Sequence, residues 1–353
     1  MTADEGIRCM LMRGGTSKGA FFVAGDVPDD AAERAELLLR VMGSPDPRQI
    51  DGLGGAHPLT SKVAVVSASD DSDVDIDYHF LQVAVDAPVV SDAQTCGNLL
   101  AGVGAFAVER GLISAHGELA TVRIRLINTG DLATARFRLR DGMPHYDGEL
   151  AIEGVPGTAA GVELRIGGGR PLLPTGNTSD TVAGHSATLI DNGMPVVLLR
   201  AAEFGVAGDE PPAELETRSD LCDSVEHVRL TAGPMMGLGD VLTQTVPKVF
   251  LLSPPRNGGV VGTRAFIPHR VHTSIGVLMA ASVAAGVSIP EAVGSEMSQL
   301  PDSTEYDIEH PGGKSSVNVE VSRASDGSWR GTSTSIRTAR KIFDGRVFAR
   351  PRL

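Results

Sequence analysis

Cys96, Lys62 and His272 are the residues whose types and settings could do chemistry. Cys96 lies near the start of TCGNLLAGVGAFAVERGL, where an apolar run follows cysteine, glycine and asparagine, and Gly111 stands where a helix would end after Glu109 and Arg110. A thiol at a helix start meets unpaired backbone N–H groups and the positive end of the dipole, which favour a thiolate and can also hold a carboxylate. Lys62 closes the irregular stretch GSPDPRQIDGLGGAHPLTSK and directly precedes an apolar strand, Val63–Ser67. A rigid element therefore aims its amine, and partial burial would ease release of a proton. His272 opens HTSIGVLMAASVAA, a second apolar helix expected over His272–Ala285, with Gly286 at its end. It can serve as an acid, as a donor to a carboxylate or as a structural partner of the helix start, with the donor role first. A free cysteine is most often a small core hydrophobe, and a lone lysine is usually solvated. The setting of Cys96 beside Gly97 and Asn98 favours a working thiol.

Two loops are dense in donors. RGGTSKG, Arg13 to Gly19, lies between two short strands, Arg8–Met12 and Ala20–Ala24; its glycines permit positive φ while Thr16, Ser17 and Lys18 add side-chain donors. It reads equally as a glycine-rich hairpin and as an anion site. The phosphate-loop spacing is not met, and a strand follows where that motif needs a helix. LLPTGNTSD, after the Gly167–Gly169 turn, is the second donor-rich loop. The acidic run Asp70–Asp77 lacks the glycine and closing glutamate of a calcium loop and reads as a solvated hairpin end. No HExxH, His/Asp cluster or dinucleotide fingerprint occurs, so neither a metal nor another cofactor is expected.

The elements that must position these residues follow from pattern and composition. The Cys96 helix has no wide polar face, so it must be enclosed, and at about 15 residues it is too short to span a bilayer. No membrane partner is expected. A chain of 353 residues with 42% hydrophobic content is long enough for two cores. The formal charge of −13 argues against nucleic acid, and 4% aromatic content against a base-stacking surface. Three cysteines, Cys9, Cys96 and Cys222, have no CxxC spacing, and MTADEGIRC lacks the regions of a signal peptide, which fits a reducing cytoplasm. The second half repeats the element order of the first: DNGMP stands where RGGTSKG stood, a surface helix over Leu215–Leu230 follows, and Lys248 precedes Val249–Leu252 as Lys62 precedes its strand. An α+β protein is expected, with two pseudo-symmetric domains each wrapping a mainly antiparallel sheet around one buried helix. Their bounds are 1–184, to which the tail 338–353 can return, and 185–337. Pseudo-twofold symmetry would turn both helix N-termini toward a cleft, Cys96-Gly97-Asn98 facing His272-Thr273-Ser274, a site for a molecule with carboxylates at both ends.

The strings MRGGTSKGAFF, DGLGGAHPLTSK, CGNLLAGVGAFAVERG, IDNGMPVVLL, GLGDV, LLSPPRNGG and FIPHRVHTSIGV span nearly the whole chain, and together they resemble the PrpF family within the diaminopimelate epimerase-like fold. In diaminopimelate epimerases both helix starts carry a cysteine; the second here has His272, Thr273 and Ser274, which removes the two-thiol racemisation machinery. The resemblance implies an acid/base pair of one lysine and one cysteine, Lys62 and Cys96. Arg13, Thr16, Ser17, Gly97, Asn98, Lys248, Arg264, His272, Thr273 and Ser274 are then candidates for holding carboxylates or a developing enolate. The implied activity is cofactor-independent keto–enol tautomerisation of an unsaturated oxo-tricarboxylate in bacterial gallate degradation. The alternatives are a 2-methylaconitate or aconitate isomerase and, from another class, a non-catalytic polycarboxylate-binding protein. A small tricarboxylate is the expected partner, and a homodimer the possible assembly.

Overall fold

Period-two alternation of apolar residues makes strands the commonest regular element, and two segments apolar on every side become the helices that the strands cover. The structure is a computed structural model and describes residues 6–152, 154–168, 170–267 and 270–352. Gly169 of the expected turn and Pro268 and His269 of FIPHRVHTSIGV lie outside the described residues. The chain forms two compact units, Met1–Arg165 with Ile336–Leu353, and Ile166–Ser335. Residues 166–184 fall in the second unit, where Asp180–Val182 pairs with His185–Asp191.

In the first unit β1 (Ile7–Gly14) and β2 (Ser17–Val23) form a hairpin, followed by α1 (Ala31–Met42). β3 (Lys62–Ala68) lies parallel to β2, and β4 (Ile76–Val83) antiparallel to β3. β5 (Val90–Ser91) pairs with the end of β4 and leads to α2 (Gly97–Glu109). β6 (Leu119–Leu126) runs parallel to β4 and antiparallel to β7 (Leu132–Arg140), and β8 (Met143–Pro144) and β9 (Gly161–Gly167), whose last two residues belong to the second unit, follow. Ile7–Gly14 also pairs with residues 339–347, so the tail after Thr338 is a strand of this unit.

The second unit holds β10 (Asp180–Val182), β11 (His185–Asp191), β12 (Pro195–Arg200), α3 (Pro212–Glu216), α4 (Ser219–Met235), β13 (Lys248–Ser253), β14 (Val261–Phe266), β15 (Val271–His272), α5 (Val277–Ser288), β16 (Glu305–His310), β17 (Gly313–Arg323) and β18 (Trp329–Val347), whose last part belongs to the first unit. β13 is parallel to β12, β14 antiparallel to β13, β16 parallel to β14, and β17 antiparallel to β16. That is the succession of the first unit over again.

Each sheet is covered on both faces. In the first unit Leu38, Val41 and Met42 of α1 pack on Cys9, Ala20, Phe22, Val63 and Val65. The opposite strand face carries Met10, Met12, Phe21, Tyr78 and Phe80, all fully buried, and meets α2, whose residues Leu99 to Val108 are buried without exception. In the second unit Val225, Val228 and Ala232 of α4 pack on Val197, Leu199, Val249 and Leu251.

Two expected helices differ. The segment over Leu215–Leu230 is two helices, broken at Thr217 and Arg218, because the Thr217 hydroxyl donates to Glu214 O at 2.6 Å and the Arg218 guanidinium donates to Phe204 O and Gly205 O. The second apolar helix starts at Val277, not His272. Val271 and His272 pair as strand with Phe266 and Ala265, and the carbonyls of Thr273 and Ile275 accept from Gly312 N and Ser315 Oγ. Those bonds hold the segment extended, and Gly276 becomes the N-cap.

Arg229 on α4 is fully buried, forms a bidentate pair with Glu226, and donates to the carbonyls of Val241, Gln244 and Val246. It therefore fixes the loop before β13. Arg229→Met leaves three carbonyls and one carboxylate without this partner, and urea unfolding should show a loss of about 3 kcal/mol. A loss below about 1 kcal/mol would refute the role.

Candidate active site

The start of α2 is built from residues that leave it open. Cys96 is the N-cap, in extended backbone, and no side chain caps the helix. Its carbonyl accepts from Leu100 N at 3.0 Å and from the Tyr78 hydroxyl at 3.4 Å. Burial first, and then the proximity of Cys96, raise Tyr78 well above the usual phenol range, so it is a neutral donor. The other end closes as expected: Gly111 has φ +67°, and Leu112 N donates to Ala107 O.

The RGGTSKG hairpin lies against that open start. Gly15 and Thr16 form a two-residue turn, with Gly15 at φ +51°. A Cβ at Gly14 would stand 2.5 Å from Asn98 O, at Gly15 2.2 Å from Asn98 Oδ1, and at Gly19 2.8 Å from both a Leu99 methyl and Lys62 O. Only glycine lets the hairpin come this close. Asn98 Nδ2 then donates to Thr16 Oγ1 at 3.1 Å. The geometry is that of a hairpin, and it places Ser17 on the helix-facing side with Gly19 and Phe21. Ser17 and Thr95 are 1% and 5% exposed, and neither hydroxyl has a hydrogen-bond partner. Such orphans are costly unless a ligand satisfies them.

One face of β4 joins Lys62 to this group. Tyr78, Phe80 and Gln82 alternate onto the same side. The first bonds to Cys96 O, the ring of the second lies 5.0 Å from Lys62 Nζ, and Oε1 of the third accepts from Lys62 Nζ at 2.7 Å. Cys96, Lys62, Ser17, Gly97, Asn98 and Thr16 are thus brought together in the first unit. Arg13 is not with them. It alternates to the other side of β1 and donates to Gly15 O, Thr338 O and Thr338 Oγ1, tying the hairpin to the C-terminal strand. Burial and the charge of Arg340 lower its pKa.

The second unit holds its own cationic group. Lys248 heads β13 as Lys62 heads β3; Val196 is its parallel-strand partner where Gly19 is that of Lys62. It is buried and donates to Thr245 O at 2.5 Å. Burial, and then the Arg229 guanidinium, push it from 10.5 to about 8. His272 is exposed at the end of β15, yet desolvation of its ring and then the Lys248 charge hold it below the usual histidine value, so it is a neutral donor or acceptor near pH 7. Thr273 and Ser274 are exposed beside it. Arg264 stands apart: it is opposite Leu251, on the face that α4 covers, and donates to Glu210 O and Thr263 O. Its role is to fasten the loop before α3.

Tyr78, Phe80, Gln82 and Thr95 were not singled out from sequence. The alternation in IDYHFLQV carried the signal for the first three, but only the register of Gln82 against Lys62 turns it into a site. Among the described residues no three His, Cys, Asp or Glu side chains stand close enough together to hold a metal ion.

The family model described as PrpF protein matches residues 5–350. A (4E)-oxalomesaconate Delta-isomerase of Novosphingobium sp. (strain KA1) is 50% identical over 347 residues, covering 96% of each chain. A 4-oxalomesaconate tautomerase of Pseudomonas putida is 50% identical over 348 residues, covering 97% of this chain and 95% of that one. The crystal structure of a methylitaconate-delta-isomerase matches with a TM-score of 0.79 at 30% identity, over 96% of this chain and 94% of that one.

The depressed Lys248 value has a thermodynamic consequence. Between about 8 and 10.5 the unfolded chain binds the proton that the folded chain has lost, so stability rises with pH across that window. Lys248→Met removes the penalty of a buried charge, and should raise the unfolding free energy at pH 7 by up to about 3 kcal/mol, less the bond to Thr245, while flattening the slope from pH 8 to 10.5. Urea unfolding across that range checks it; an unchanged slope in Lys248→Met would show that Lys248 is not the group responsible.

Proposed function

The chain belongs to the PrpF family, and on that premise we propose that it catalyses the tautomerisation of 4-oxalomesaconate by moving one proton on the carbon chain of this unsaturated oxo acid. It is an isomerase with the diaminopimelate epimerase-like fold. What supports the reading is a thiol at an uncapped helix start, two buried hydroxyls without partners, and a buried lysine on the strand face turned to the same helix.

A proton on C3, next to the ketone, is acidic because the electron pair left behind spreads onto the ketone oxygen and along the conjugated double bond. Cys96 and Lys62 are the acid/base pair, one removing that proton and the other returning one. Protonation on oxygen yields the enol; protonation at the far carbon shifts the double bond. One delocalised anion thus leads to both kinds of product that the relatives' names describe. The N–H groups that open α2, with Ser17, Thr95 and Asn98, face the negative charge of a carboxylate or of the enolate. Action in the cytoplasm, in gallate breakdown, belongs to the same reading; among the described residues no helix is long and apolar enough to cross a membrane.

Cys96→Ser should lower kcat by at least about a hundredfold, the scale of a positioned acid or base, while Cys222→Ser, at a half-buried site on α4, leaves it unchanged. Lys62→Met should lose about as much turnover while its melting temperature moves little, because the apolar stem still packs. Full activity in either folded variant removes that residue from the chemistry.

The substrate is tested by ultraviolet absorbance and proton NMR. 4-Oxalomesaconate should turn over with exchange of its C3 protons in deuterated water, and 2-methylaconitate much more slowly, since it lacks the ketone that absorbs the charge. Equal or higher kcat/KM for 2-methylaconitate would replace the tautomerase reading with an aconitate-type isomerase.

A further inference from the structure

Gln82 bonds to the amine of Lys62, and its orientation is fixed by its other partners. Its Nε2 donates to Ser61 O at 2.8 Å and to Pro58 O at 3.1 Å. Oε1 is left to accept from Lys62 Nζ at 2.7 Å. A flipped amide would set its NH2 against the lysine amine and its oxygen against two carbonyls, so the network allows one orientation. The loop that supplies the two carbonyls is itself pinned: Gln49, buried, donates to Ser44 Oγ and Ser61 Oγ and accepts from Ala56 N.

We propose that Gln82 is a positioning residue for the reaction, an acceptor-only clamp that selects the direction of the Lys62 amine by accepting one of its N–H bonds. This rests on the assignment of Lys62 to the acid/base pair. The ammonium has three N–H bonds. One is held by Gln82, and the Phe80 face at 5.0 Å takes up part of the charge on a second side. What remains is directed toward substrate. Because Oε1 has no proton to give, Gln82 cannot relay one, and Lys62 must exchange its proton with substrate or water.

Two variants pull the amine in opposite directions. Gln82→Met removes the acceptor that favours the charged amine, and Gln82→Glu replaces it with a carboxylate. The limb of the kcat/KM–pH profile that belongs to Lys62 should move down by about half a unit or more in Gln82→Met and up by about one unit in Gln82→Glu. In Gln82→Met kcat should fall about tenfold, with KM within about threefold of the parent.

A readout that needs no turnover accompanies this. Competitive acetylation of Lys62 against pH, followed by peptide mass spectrometry on the folded parent and variants, should show the same opposed displacements. Parent-like labelling in both variants, or displacement of both in one direction, overturns the clamp. If the parent itself fails to turn over 4-oxalomesaconate while the labelling shifts are opposed, the substrate reading falls and the clamp stands. Should Gln82→Glu not fold, Gln82→Met alone decides by the downward shift or its absence.

Discussion

A helix that is apolar on every side must be enclosed by protein, and α2 imposes that requirement on the whole first unit. Strands supply the enclosure because their alternation gives one face to α2 and the other to α1. Enclosing the helix by side chains alone would also seal its N-terminus. The hairpin avoids this by approaching with backbone: Gly14, Gly15 and Gly19 sit where any Cβ would collide with Asn98, Leu99 or the Lys62 carbonyl. The N-cap is a cysteine, whose side chain does not cap, so the polar end of a buried helix stays available. One packing constraint therefore sets both the core and the site.

The two units use one strand order for different electrostatics. Lys62 and Lys248 occupy equivalent positions, each the first residue of a strand parallel to the second strand of a hairpin. Lys62 is met by a side-chain amide and an aromatic face. Lys248 is met by a backbone carbonyl and lies within the field of a buried arginine, which together with burial favours the neutral amine at slightly alkaline pH. The same topology thus yields one amine whose partners are side chains that can be tuned and another held by the fold. The second helix start diverges likewise: four residues separate His272 from the first helical residue Val277, so its donors stand on extended backbone and not on a dipole.

Most of the fold was legible in the sequence, because its strongest signals were local. Apolar residues on every side of 97–109 and the recurrence of a lysine before an apolar strand both have direct physical readings. The places of Cys96 at a helix start and of Lys62 at a strand start were legible for the same reason. The misplaced start of α5 arose because HTSIG leads without a break into the apolar run, while the bonds that keep it extended come from Gly312 and Ser315, about forty residues on. Arg13 and Arg264 have the residue type of an anion binder, but their guanidinium groups are engaged by carbonyls that only the tertiary structure supplies. Gln82 was invisible for the complementary reason: a neutral residue within a strand announces nothing until its register sets it opposite Lys62.

Of the three buried hydroxyls without a partner among the described residues, Ser253 Oγ lies in the second unit, while Ser17 Oγ and Thr95 Oγ1 carry a cost that the proposed function accounts for. A buried polar atom without a partner costs about 1–3 kcal/mol, a sizeable share of the net stability of a domain. Thr95 directly precedes Cys96 in sequence, and Ser17 stands on the face of the hairpin that is turned to α2. Alanine at Ser17, or valine at Thr95, would avoid the cost and fill nearly the same volume. A polycarboxylate changes that balance, since each hydroxyl can donate to it at the end of a helix whose N–H groups point the same way. Under the proposed function the penalty carried by the free protein becomes binding energy for an anion. It is strongest for the state with most negative charge at that spot, and if that state is the enolate the same two atoms serve the rate as well as the affinity.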